Sequence, residues 1–174
     1  DGALTLEEGP GPDAGGWTGD LYVKPEGGAM GRGIERWPAG TAADLAERCR
    51  GLTAHETYII QPRIRNHPDL RPISNGNISA MRVTTYRTPQ GGVEILLPVL
   101  QMPTGKTVTD HMMHGSVAAP IDPETGRLGG GYSYNARFIV SQHDVHPDTG
   151  ARIPGREVPF WREAFELCRR AHKS

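Results

Sequence analysis

Leu21-Tyr22-Val23-Lys24-Pro25-Glu26-Gly27-Gly28-Ala29-Met30-Gly31-Arg32-Gly33-Ile34 is the stretch on which the reading of the fold turns. A short strand over 20–24 is stopped by Pro25, a glycine-dense loop follows, and residues 34–37 can return as the partner strand. Lys24 therefore stands at a strand end, directly before glycines at 27, 28, 31 and 33. Glycines let backbone N–H groups converge on an anion with no side chain in the way, and a lysine adds a point charge. The order excludes a P-loop, in which the lysine follows the glycines; here Gly33 is followed by Ile34-Glu35. It also lacks the third glycine and the following helix of a dinucleotide fingerprint. Two readings stay open: a flap over phosphates with Lys24 beneath it, or a surface hairpin with no ligand.

Working outward, residues 1–19 show no periodicity and read as a flexible N-terminal arm. On the other side, Thr41 with Asp44 three residues later predicts a capped helix running to about Arg50, stopped by Gly51 at the C′ position. Tyr58-Ile59-Ile60-Gln61 is a strand of buried type ended by Pro62, followed by a polar connector over 63–76. Beyond it the texture is β: runs over 78–87 and 93–100 about a turn at 89–92, then strands near 117–121, 131–134 and 136–142. Asp122-Pro123-Glu124-Thr125-Gly126 and His146-Pro147-Asp148-Thr149-Gly150 share one turn design, proline early and glycine late. A closing helix starts at Pro159, with Trp161, Phe165, Cys168 and Ala171 on one stripe. The expectation is α+β: one antiparallel sheet of about six strands carrying two helices.

Composition narrows the partners. With 19 Lys+Arg against 20 Asp+Glu in 174 residues, the chain lacks the general basic field of a nucleic-acid binder. Its longest apolar run, Val93-Glu94-Ile95-Leu96-Leu97-Pro98-Val99-Leu100, is too short for a membrane span and contains a charge and a proline. Twenty-three glycines and 15 prolines predict short strands and many turns rather than a helical bundle. Cys49 and Cys168 form no CxxC pair, and no apolar leader precedes residue 20, so a reducing, cytoplasmic setting is expected. The chain does not start with Met, and an excised or processed segment is the expectation.

Other segments could carry chemistry. Tyr58-Ile59-Ile60-Gln61-Pro62-Arg63-Ile64 is an apolar strand entering a polar hinge, an edge able to pair its backbone with a purine while Ile59 and Ile64 cover the faces. A core strand leading to a loop explains the same residues. Arg82 either faces solvent from its strand or lines a cleft. Asp110, His111 and His114, and separately His143, Asp144 and His146, have spacings compatible with metal ligation, although neither loop alone defines a site. There is no GxSxG motif and no pattern of paired carboxylates.

Taken in order, these segments resemble an ATP-grasp domain of the sugar-transfer-associated group. The landmarks are Val23-Lys24-Pro25 with its glycine flap, Ile60-Gln61-Pro62-Arg63-Ile64 with Asn66-His67-Pro68, and the strand bearing Arg82. Asp110-His111 ahead of Gly115, the two Pro…Gly turns, and Ile153-Pro154-Gly155-Arg156-Glu157-Val158-Pro159-Phe160-Trp161 complete the set, across roughly 20–172. The resemblance implies a partial ATP-grasp domain over 20–174. It would bind ATP with Lys24 on the α- and β-phosphates and Gly27, Gly28, Gly31 and Gly33 in the flap. Gln61, Arg63 and Ile64 would meet adenine, Asp69 the ribose and Arg82 the transferring γ-phosphate, with Asp110 and His111 beside the reaction. In this family Asn usually stands where His111 is, and a second glycine where Ser116 is. The implied chemistry is carboxylate–amine ligation through an acyl phosphate, in making a sugar-containing polymer or a peptide-like product. Its Mg²⁺ ligands are expected mostly beyond Ser174, so the remainder of the ATP-grasp fold would be a partner and this stretch alone inactive. A non-catalytic nucleotide-binding or interaction module, and a His-based metal-dependent hydrolase, are the alternatives.

Overall fold

Leu21 and Val23 are buried while Tyr22 and Lys24, each next in the chain, are half-exposed, the alternation of a strand with one covered face. This strand opens a computed structural model that describes residues 19–28, 33–52, 57–105, 112 and 115–173. Residues 1–18 of the arm expected over 1–19, with Gly31, Asp110, His111 and His114, lie outside the described residues. The chain forms two units, Asp1–Ile64 and Arg65–Ser174.

In the first unit, β1 (Leu21–Pro25) is the centre of a three-stranded antiparallel sheet, flanked by β2 (Glu35–Trp37) and β3 (Tyr58–Pro62). The hairpin expected from the glycine loop is present, with Leu21 opposite Trp37 and Val23 opposite Glu35. Helix α1 (Ala42–Arg50) starts as its sequence demands. The Thr41 hydroxyl accepts the Asp44 N–H at 3.2 Å, and the Asp44 carboxylate accepts the Thr41 N–H at 2.8 Å. The Thr41 N–H first, and then the Thr41 hydroxyl at 2.7 Å, donate to the Asp44 carboxylate and hold its pKa below the usual range. Gly51 ends the helix as expected, but as its C-cap in right-handed geometry (φ −79°) rather than at the C′ position. Leu21, Val23, Trp37 and Cys49 form the core, with Leu45, Leu52, Tyr58 and Ile60 against it.

The second unit corrects the single sheet. The run over 78–87 changes partners midway. Its first half, β4 (Ala80–Arg82), pairs with β7 (Val99–Met102), and its second half, β5 (Thr85–Arg87), folds into a hairpin with β6 (Val93–Ile95). The 93–100 run breaks at the same level, because Pro98 has no N–H to give a ladder. β7 continues through β8 (Val117–Pro120) and β9 (Gly131–Tyr134) to β10 (Val140–His143), giving the order β10-β9-β8-β7-β4. β10 starts later than expected because the Asn135 carboxamide accepts the N–H groups of Arg137 and Ile139 and holds a turn.

The connector over 63–76 is less open than its polarity suggests. It contains a 3₁₀ helix, Pro68–Ile73, that buries Leu70 and Ile73. These two join Leu100, Met102, Val117, Ile121, Ile153 and Phe165 in the core. Both Pro…Gly turns close as expected, with Gly126 at φ +71° and Gly150 at φ +69°. In the first, Asp122 accepts the N–H groups of Thr125 and Glu124, which keeps its carboxyl below the usual range. In the second, His146 takes that place and accepts the Asp148 N–H at Nδ1. Helix α2 (Trp161–Lys173) packs on β5 and β6, but its stripe is shorter than expected. Trp161 and Phe165 are buried, Cys168 is half-buried and Ala171 is exposed.

Candidate functional site

Antiparallel pairing sorts the first sheet into two faces. Tyr22 stands opposite both Arg36 and Gln61, and Lys24 stands opposite Ile59, so these five residues share the face turned away from the core. The Asp20 carboxylate extends the same face, accepting from Arg36 Nε at 2.9 Å, Arg36 Nη2 at 2.6 Å and Arg63 Nη1 at 3.3 Å. These arginines, Arg36 foremost, hold the Asp20 carboxyl below its ordinary value. The Arg63 N–H also donates to the Asp20 carbonyl at 2.9 Å, carrying the ladder one step past the strand ends.

The face has a direction. β3 leaves the sheet through Arg63 and Ile64 at the Asp20 end, while β1 leaves through Lys24 and Pro25 at the other. Four residues separate these ends of β1, about 13 Å at strand rise. Lys24 has no ion-pair or hydrogen-bond partner among the described residues. Ile59, beside Lys24, is 42% exposed and Ile64, at the hinge, 64%, aliphatic groups left uncovered at the two ends of β3. The structure thus gathers Lys24, Gln61, Arg63 and Ile64 in one unit.

At the flap base, Gly27 and Gly28 are exposed, and the Gly28 N–H donates to the Pro25 carbonyl at 3.1 Å. Gly33 is required by the fold: at φ +74°, an added Cβ would lie 2.8 Å from Pro25 Cγ. A recess of about 630 Å³ adjoins this base, lined by Val23, Pro25, Glu26, Glu35, Leu52 and Tyr58 among others. It opens on the Val23 side of β1, without Lys24, and its two glutamates suit an anion poorly.

Arg82 and Asp69 belong to the second unit. Arg82 ends β4 and is exposed. Asp69 lies in the first turn of the 3₁₀ helix, its carboxylate exposed and 3.6 Å from the His67 ring. Asp110, His111 and Gly31 are outside the described residues. Asp20 and Arg36 were not singled out in the sequence. The signal was available in the alternation that puts both on the face of Lys24, but a β1–β3 pairing across the intervening helix is not legible locally.

The second histidine pair serves the fold. His146 is fully buried; its Nδ1 accepts the Asp148 N–H at 3.3 Å, and its Nε2–H donates to the Pro103 carbonyl at 3.2 Å. Burial pushes its pKa below the usual value, opposed by the Pro103 carbonyl and Asp148. Both nitrogens are engaged, leaving none for a metal. The His143 Nε2 meets the Ser133 hydroxyl at 2.8 Å. Among the described residues, no three of His, Cys, Asp and Glu come together to hold a metal ion. The described residues therefore offer no cage for magnesium. No helix among them is long and apolar enough to cross a membrane.

An α+β chain of antiparallel sheets, with a lysine before a glycine hairpin, fits the class of ATP-grasp-like folds. Residues 50–174 match the family model described as sugar-transfer associated ATP-grasp, and the chain belongs to that family. ATP binding is the function this family carries, usually with Mg²⁺. The match includes β3, Gln61, Arg63, Ile64, Asp69 and Arg82, and begins after Lys24 and the flap. No curated protein and no solved structure matches the chain.

Proposed function

We propose that the chain supplies nucleotide-binding parts of an ATP-dependent ligase that activates a carboxylate as an acyl phosphate. In this reading the carboxylate oxygen attacks the γ-phosphorus of ATP and ADP leaves. An amine or similar nucleophile then attacks the acyl carbon and expels inorganic phosphate. Such chemistry needs alignment and charge neutralisation rather than a covalent protein nucleophile.

The observation that carries the reading is the open face of the first sheet. A lysine with no partner among the described residues stands at its flap end beside the uncovered Ile59, and the hinge with uncovered Ile64 stands at its other end, about 13 Å away along an extended strand. That spacing suits a nucleotide lying along β1, base at the hinge and phosphates at Lys24. Gln61, Arg63 and Ile64 would meet the adenine, Gly27, Gly28, Gly31 and Gly33 would cover the phosphates, and Asp69 would take the ribose. Arg82 would balance charge on the transferring phosphoryl group, with Asp110 and His111 at the acceptor.

The test offers the natural protein carrying this chain ATP with panels of carboxylic acids and amines, and follows ADP. Hydroxylamine replaces the amine in a second arm, because it traps an acyl phosphate as a hydroxamate. ADP formation that depends on the acid, with hydroxamate, supports the ligase. ATP binding without acid-dependent ADP release would make this a nucleotide-binding module instead.

A further inference from the structure

Asp20 accepts from two guanidinium groups on the same face as Lys24, yet makes no contact with Lys24. Its side chain is 19% exposed, and that of Arg63 only 21%, so this is a partly enclosed cluster, whereas Arg36 is 51% exposed. Arginine binds phosphate through a planar fork and is the better phosphate ligand; lysine offers a single point charge. Without the Asp20 carboxylate between them, Arg36 and Arg63 would therefore outcompete Lys24 for a polyphosphate and draw it to the end where the base belongs.

We infer that Asp20 is a positioning residue that fixes the direction of a bound nucleotide: it engages the fork of Arg36 and one Nη of Arg63, so that, among the described residues, Lys24 is the cation a phosphate chain meets on this face. The inference rests on the reading of this face as the nucleotide site. It works by making the wrong orientation costly rather than by adding a contact to the right one. Tyr22 and Gln61, the uncharged members of the middle row, give a phosphate no rival cation apart from Arg36, which is already paired. The lowered pKa of Asp20 is consistent with a carboxylate kept ionised for this purpose.

The test measures the affinities of ATP and of inorganic tripolyphosphate by calorimetry, for the wild type and for Asp20→Asn. Loss of the Asp20 carboxylate, which neutralises charge at Arg36 and Arg63, should tighten tripolyphosphate by about tenfold while ATP gains less, so the preference for ATP falls. In the Asp20→Asn background, Lys24→Ala should cost tripolyphosphate much less than it does in the wild type. Asp20→Glu, which keeps the carboxylate, should hold the wild-type preference. Where Asp20→Asn does not fold, Arg36→Gln decides: tripolyphosphate affinity should stay within about threefold of the wild type, since that fork is already taken. An unchanged preference in folded Asp20→Asn, or a tenfold loss in Arg36→Gln, overturns the inference and leaves the nucleotide reading standing. A wild type that binds neither ATP nor tripolyphosphate removes both.

Discussion

Lys24 and Ile59 stand opposite one another in the ladder between β1 and β3, a cation and an uncovered aliphatic side by side on the open face of the first sheet. The pairing joins a residue before the family match to one within it, so a nucleotide on this face would touch both. Replacing Lys24 by alanine should weaken ATP by about 1.5–3 kcal/mol, the worth of a charge-assisted hydrogen bond. Titration of the two proteins with ATP checks this, and equal affinities would take the phosphates away from Lys24.

Arg82 should behave differently. If its partner is charge that develops during transfer, Arg82→Ala should lower turnover roughly a hundredfold while ATP affinity changes far less. Steady-state rates beside a direct binding measurement separate the two effects. Equal losses in both would mark Arg82 as a ground-state contact.

Gly126 and Gly150 close similar turns at nearly the same left-handed φ, +71° and +69°, but their surroundings differ. A Cβ at Gly150 would meet nothing within 4 Å, whereas one at Gly126 would fall inside the indole ring of Trp161. Gly150→Ala should cost about 1–2 kcal/mol from the backbone alone. Gly126→Ala should cost about 1–3 kcal/mol more, as Trp161 is forced from its place at the start of α2. Urea unfolding of both variants reads the difference, and equal losses would mean the indole yields freely.

His146 makes stability sensitive to acid. Its folded pKa lies below the value of 6.5 expected when unfolded, chiefly because it is buried. Between those two values the unfolded chain holds the extra proton. The contribution is therefore present in full above about pH 6.5 and is lost as pH falls toward the folded pKa. Unfolding midpoints at pH 7.5 and 5.5 should differ more for the wild type than for His146→Gln. An identical pH response in the two proteins would deny the histidine this role.

The local devices of this fold are legible in its sequence. The Thr41–Asp44 cap, the hairpin about the glycine loop and the two Pro…Gly turns each depend on residues a few positions apart, and each is present. What escaped depends on pairing at a distance. Nothing near Val83 and Thr84 announces that the strand before them joins β7 while the strand after them joins β6. The polar look of 63–76 hid Leu70 and Ile73, whose i, i+3 spacing puts both on one face of a 3₁₀ turn and not on one face of a strand. Within the candidate site, the lysine, the glycines and the hinge were visible as motifs, and the Asp20 cluster was not. It exists only because β1 pairs with β3 across the intervening helix.

The turn over 146–150 has a kinetic consequence. Its own closure, Gly150 N–H to His146 carbonyl, is local and can form early. Its outward bonds are not: His146 reaches Pro103 and Asp148 reaches Gly105, each 43 residues away, and Thr149 reaches Pro72, 77 away. Such distant ties come after most of the chain has been ordered, because the entropy of closing long loops must be overcome first. The turn should therefore act as a late latch on the second unit, and loosening it would hasten unfolding while leaving the refolding rate almost untouched.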